Sequence, residues 1–156
     1  PYLIPPVLIC SVAQRLVRTL CPGTGTPIEL SPSDRKGIEE EMASLPPSHR
    51  FDIPQTVYDP EKTPTCPTGM RGRMAVFEVL EMSSEVEKII LDNPVESRLW
   101  DAARKQGMHT MREDAIQKAF NKQIPFSEVN TLSSLLLAGD EDPEPAPPPA
   151  AQVLPS

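Results

Sequence analysis

No apolar run in this chain approaches the roughly 20 residues that a membrane-spanning helix needs, so nothing in the sequence reads as a bilayer span. Basic residues are too few for a polyanion. The 156 residues carry a formal net charge of −7, whereas a nucleic-acid binder needs a basic stripe to displace counterions along the phosphates. A glycine-rich phosphate loop followed by Lys and Ser or Thr is missing. Gly23-Thr24-Gly25-Thr26 is too short, lacks the Lys and reads as a turn. Histidine is limited to His49 and His109, neither beside a candidate nucleophile nor at metal-ligand spacing from the other, which leaves a catalytic triad without support. Cysteine is scarce and odd in number, three residues without a secretory context, and this argues for reduced thiols in a cytoplasmic protein. No segment repeats at a fixed period, which excludes a solenoid.

Proline, by contrast, is abundant. Many of its 20 residues crowd the end of the chain, where Asp140, Glu141, Asp142 and Glu144 run into Pro143, Pro145, Pro147, Pro148 and Pro149. Such a stretch has little apolar surface to offset the entropy of ordering it. The sequence therefore predicts a folded part, 1–138, and a disordered acidic proline-rich tail, 139–156. With the tail set aside the body is only mildly acidic, as expected of an ordinary soluble domain, and it is long enough to bury a core without staples. Pro1 to Cys10 is apolar but holds three prolines and no basic leader, so no signal peptide is expected. Because no initiator Met is present, Pro1 is expected to lie inside a longer reading frame.

The local pattern predicts a mainly α fold with a small β element. From Val7 to Leu20 the apolar residues fall at helical spacing, with Leu8, Val12, Leu16 and Leu20 on one line and Ile9, Ala13 and Val17 beside it, until Cys21-Pro22-Gly23 ends the segment. Cys10 is expected to be buried in that helix as a small hydrophobe. A second helix is predicted from Ser31 to about Leu45, with Pro32 at its first position, Asp34 in the reciprocal capping position and Glu39, Glu40 and Glu41 as a solvated face. Ser48 to Cys66 reads as loop with a short strand at Thr56 to Tyr58. Met74 to Leu80, nearly continuously apolar, predicts a strand buried on both faces. Ser84 with Glu87 and Thr110 with Glu113 form capping boxes that open helices, the latter burying Ala115, Ile116, Ala119 and Phe120. Another helix starts at Asn93-Pro94, turns Val95, Leu99, Ala102 and Ala103 inward and stops at Gly107. A short last helix follows Ser127, with Phe126 as its hydrophobic staple.

Three strings carry more information. Ala13 to Pro22 reads AQRLVRTLCP, Thr68 to Met82 reads TGMRGRMAVFEVLEM, and Ala102 to Phe120 reads AARKQGMHTMREDAIQKAF. In this order and at these separations, over about Tyr2 to Leu132, the chain closely resembles the carboxy-terminal subdomain of the type II secretion and type IV pilus-assembly ATPases, the GspE/PilB family. The resemblance implies the C-terminal helical subdomain of a RecA-like hexameric P-loop ATPase, a cytoplasmic motor peripheral to the inner membrane through its partners. Such a motor turns ATP hydrolysis into polymerisation of pilins or pseudopilins. ATP and magnesium are implied as cofactors of the parent motor. Its phosphate loop, magnesium-binding acids and catalytic Glu would lie upstream of the first string, so no catalytic residue is assigned and this chain alone is expected to be inactive. The implied partners are the nucleotide-binding core of the same ATPase, neighbouring subunits of the hexamer and an inner-membrane platform protein, with no nucleic acid. A free-standing adaptor derived from the motor is the alternative.

The resemblance also frames the cysteines and arginines. Many family members hold a structural zinc through two C-x-x-C pairs, tetrahedral and all-thiolate. Only Cys21 and Cys66 remain of that motif here, so zinc is not expected and the two are expected as neighbouring packed thiols. Met70 stands where the family usually has an aromatic, in a turn where Gly69 and Gly72 fit unusual backbone angles and Arg71 and Arg73 project. In related motors basic residues of this subdomain point toward the nucleotide across a subunit boundary. Arg73 matches such a position, and Arg15 in the first string is a second candidate. A surface ion pair with Glu78 or Glu81 is the other reading of Arg73.

Overall fold

The computed structural model describes residues 4–138, with side chains described as far as residue 132; the tail expected to be disordered lies outside the described residues. In chain order the elements are β1 (Cys10–Leu20), β2 (Thr26–Glu29), α1 (Pro32–Met42), a 3-10 turn at Pro47–His49, β3 (Thr56–Asp59), β4 (Met70–Glu81), α2 (Ser84–Asp92), α3 (Glu96–Lys105), α4 (Met111–Phe120) and α5 (Phe126–Ala138). Two antiparallel two-stranded sheets stand among these helices, β1 with β4 and β2 with β3, so the mainly α expectation is corrected to a mixed fold.

The first element differs most from its sequence pattern. Cys10–Leu20 is a strand and not a helix, paired along its length with β4. Leu8, Val12, Leu16 and Leu20 recur every four residues, a spacing that satisfies both one helical turn and the two-residue period of a strand. The pattern could not separate the two, and the long apolar partner strand decides. Val12 and Leu16 stand on the open face of the ribbon, 55% and 59% exposed, while Val17 and Leu20 are buried. Val17 faces inward by strand parity, and a register shift between Arg18 and Leu20 turns Leu20 inward as well. Cys10, expected inside a helix, is an exposed free thiol opposite Glu81.

β4 is likewise covered on one face only. Val76 is completely buried, whereas Phe77 and Val79 on the opposite face are exposed. β2 adds a strand where the sequence offers only four residues, Thr26 to Glu29, and it pairs with the expected strand at β3.

The helices follow their caps. Ser31 Oγ accepts from the Asp34 N–H at 3.1 Å and donates to Asp34 Oδ2 at 2.7 Å, and α1 ends at Met42, short of Leu45. α2 is capped one residue earlier than expected, by Ser83, whose Oγ accepts from the Val86 N–H. The Thr110–Glu113 capping box forms as read from the sequence. Val95 is exposed at the start of α3, while Ala102 and Ala103 are buried as expected. α5 begins on Phe126 itself, which is buried. The main core joins Val17 and Val76 of the ribbon to Ile38, Val57, Ala115, Ile116 and Val129. A smaller cluster, Val86, Ile89 and Ala102, holds α2 to α3.

Candidate functional site

The turn that leads into β4 is built on two glycines with positive φ, Gly69 at 72° and Gly72 at 88°. A Cβ on Gly69 would stand 2.8 Å from the Glu61 N and from Pro60 Cβ, so both the φ and the space require glycine there. Gly72 is open, with only Thr19 Oγ1 within 3.5 Å of the same construction. Thr19 Oγ1 donates to the Arg71 carbonyl and ties the turn to the end of β1.

Cys21 and Cys66 close the neck of the excursion that carries β2, α1 and β3. The two are neighbours as expected, but the expectation of reduced packed thiols is corrected: they are buried and joined as a disulfide, with their Cα atoms 6.7 Å apart. Bonded to each other, the sulfurs do not act as thiolate ligands, and a lone pair of cysteines is in any case half of an all-thiolate tetrahedral shell.

The register of the ribbon separates the two candidate arginines. Arg15 stands opposite buried Val76, on the inner face that carries Val17 and Met74. Arg73 stands opposite Arg18, on the outer face that carries Leu16, Ala75 and Phe77. The structure does not bring Arg15 and Arg73 together; it places Arg18 beside Arg73 instead. Sequence reasoning missed Arg18 because only strand register reveals its neighbour.

Like charges directly opposite in an antiparallel pair disfavour the ribbon by up to about 1 kcal/mol. Among the described residues no carboxylate forms an ion pair with Arg15, Arg18, Arg71 or Arg73. The alternative partner Glu78 lies on the inner face, where its Oε2 accepts from the Met111 N–H at 3.2 Å. Arg18 and Arg73 line a shallow depression of about 270 Å³ with Thr68, Met70 and Gly72. Its position is fixed by the Arg18 N–H, which donates to Glu128 Oε2 at 3.1 Å and so anchors β1 to α5. Guanidiniums are planar donors that suit oxyanions, and two of them line this depression beside an open glycine turn.

Beyond the arginine pair the outer face is apolar and open, with Val12, Leu16, Phe77 and Val79 all exposed. The free edge of β4 is closed in part by Asp114, whose Oδ2 accepts the Phe77 N–H at 2.8 Å. Along the free edge of β1 the described residues show contacts only near its end, Arg18 to Glu128 and Leu20 N–H to the Gln123 carbonyl.

An open strand pair on a helical body, with its strings in this order, defines the class. Residues 2–131 match the model of the Type II/IV secretion system protein family, and the chain belongs to that family. It is 30% identical over 135 residues to the Type II secretion system protein E of Xanthomonas campestris pv. campestris, covering 82% of this chain and 22% of that relative. To the Type II secretion system protein E of Aeromonas hydrophila it is 30% identical over 132 residues, covering 83% and 24%. To the Type IV pilus assembly ATPase PilB of Acinetobacter baylyi it is 26% identical over 125 residues, covering 79% and 20%. The chain thus spans about a fifth to a quarter of the length of these relatives. No helix among the described residues is long and apolar enough to cross a membrane.

Proposed function

We propose that this chain is the C-terminal packing and inter-subunit coupling subdomain of a cytoplasmic ATPase that powers type IV pilus assembly or type II secretion. The observation that carries this reading is the outer face of the ribbon. Val12, Leu16, Phe77 and Val79 line it side by side, and the neighbouring edge of β1 is open over most of its length. Apolar side chains aligned on one sheet face mark an interface, and an open strand edge invites pairing. In a chain that spans about a fifth of its relatives, the natural cover is the rest of the same polypeptide.

In this reading 1–138 is the subdomain and the nucleotide-binding core of the motor packs on the outer face. Neighbouring subunits of a hexamer meet beyond it, and a platform protein holds the assembly at the inner membrane. ATP and magnesium belong to the core, which supplies the phosphate loop that this chain lacks. Arg73, with Arg18 beside it, contacts nucleotide phosphates across the subunit boundary. Arg15, on the inner face, stands apart from that pair.

Amide exchange tests the packing. In a polypeptide that includes the upstream in-frame sequence, the Val12, Gln14 and Leu16 N–H groups are expected to be protected, whereas in this chain alone they exchange quickly. Equal exchange in both would overturn the reading.

A further inference from the structure

On the inner face of the ribbon, away from the arginine pair, a groove of about 220 Å³ opens between the strands and α3. Leu80, Leu99, Ala103 and Met108 form its apolar lining and Trp100 stands at its side. Two carboxylates, Glu78 and Glu96, complete it. Trp100 remains 44% exposed, which leaves much of a large aromatic surface uncovered.

The two carboxylates lack a cation. Glu78 uses Oε2 for the Met111 N–H, and among the described residues no donor reaches its Oε1. The Glu96 carboxylate forms no hydrogen bond or ion pair among the described residues. Neither of the cations nearby is paired with them. Arg104, whose guanidinium lies 5.4 Å from the Trp100 ring centroid, is committed to Glu113, to Ser44 and to two carbonyls. Arg15 shares the inner face, at the next same-face register position to Glu78, but among the described residues it forms an ion pair with neither carboxylate.

An apolar cleft beside a half-exposed Trp, edged by two carboxylates without counter-ions, fits one kind of occupant. We propose that this groove docks a protein segment in which a bulky aliphatic side chain sits next to an arginine or lysine. The aliphatic group fills the space over Leu80, Leu99 and Met108. The cation meets Glu96 and the free Oε1 of Glu78, and its methylene stem covers the open indole surface. A purely apolar occupant would strip water from Glu78 without replacing it, which is unfavourable, and an acidic one would be repelled. Trp is among the side chains most enriched where interfaces are anchored. This surface lies on the face opposite the one assigned to the motor core, so its failure leaves that packing untouched.

Trp100 is the chain's single tryptophan, and its emission therefore reports the groove alone. The probe is the blocked peptide acetyl-Leu-Arg-Leu-amide, titrated into the full chain, with acetyl-Leu-Glu-Leu-amide as the charge-reversed counterpart. A saturable change in Trp100 emission is expected with the arginine peptide, and a dissociation constant at least about tenfold weaker with the glutamate peptide, the scale of a modest charge preference. Glu96→Gln, a change at an exposed carboxylate that has no hydrogen bond or ion pair among the described residues, is expected to weaken the arginine peptide by about threefold to fivefold. No saturation through the millimolar range, equal binding of the two peptides, or an unchanged constant in Glu96→Gln would each overturn the proposal.

Discussion

Arg104 and Glu113 meet as a bidentate ion pair, at 2.7 and 2.6 Å, with both side chains almost wholly withdrawn from water. The remaining guanidinium hydrogens go to Ser44 Oγ, the Glu41 carbonyl and the Met108 carbonyl, while Glu113 Oε2 also accepts the Thr110 N–H. One charge pair therefore locks the end of α1 to α3 and α4. Removing one member strands a buried charge, which typically costs about 3–5 kcal/mol. Glu113→Gln and Arg104→Met are each expected to lower unfolding free energy by that order in urea titrations. Values within about 1 kcal/mol of the parent would show that the pair is not what locks these helices.

The disulfide between Cys21 and Cys66 closes a separation of 45 residues. Loop-closure entropy for a loop of that length corresponds to about 4 kcal/mol in the chain-entropy model. Unfolding with and without reductant, or of Cys21→Ser, is expected to show a loss of that order. Elemental analysis of the purified protein is expected to find zinc far below one equivalent, and chelator is expected to leave the melting curve in place. Stoichiometric zinc lost together with the fold would refute this.

In the motor proposed above, Arg73→Ala is expected to lower ATP turnover by roughly three orders of magnitude, the scale at which arginines that meet a transferring phosphoryl group act. Nucleotide affinity and melting temperature are expected to change far less. Arg71→Ala is the local control, because Arg71 lies outside the depression that Arg18 and Arg73 line. Equal and mild losses from both substitutions would leave Arg73 as a residue of the turn.

Calorimetric titration of this chain alone with Mg-ATP is expected to show no micromolar binding. The sequence has no glycine-rich loop whose N–H groups could cradle the phosphates and no Lys following one. Micromolar affinity would contradict that expectation.

The starts of α1 and α4 and the stop of α3 were legible because their signals are local. Ser31, Thr110 and the turn at Gly107 act on backbone groups within a few residues, so spacing alone locates them. β1 was not legible, because a four-residue apolar repeat suits a strand as well as a helix and the deciding partner lies more than fifty residues away in β4. The same distance hides the opposition of Arg18 and Arg73, which exists only through register. Glu113 could be read as a capping residue, yet its larger role depends on Arg104 nine positions earlier, a separation that neither helical periodicity nor capping relates. Family membership was legible from the three strings, since their order survives whatever secondary structure they adopt.

The bond at the neck also changes the covalent topology. Everything from Pro22 to Thr65 forms a closed ring hung from the β1–β4 ribbon, and a single cut anywhere in that ring leaves one covalent molecule. A protease that nicks the excursion would thus produce a species that migrates as intact protein until reductant is added, then falls into two pieces. The strands of the ribbon, one on each piece, would stay tethered at their paired ends until that bond is reduced.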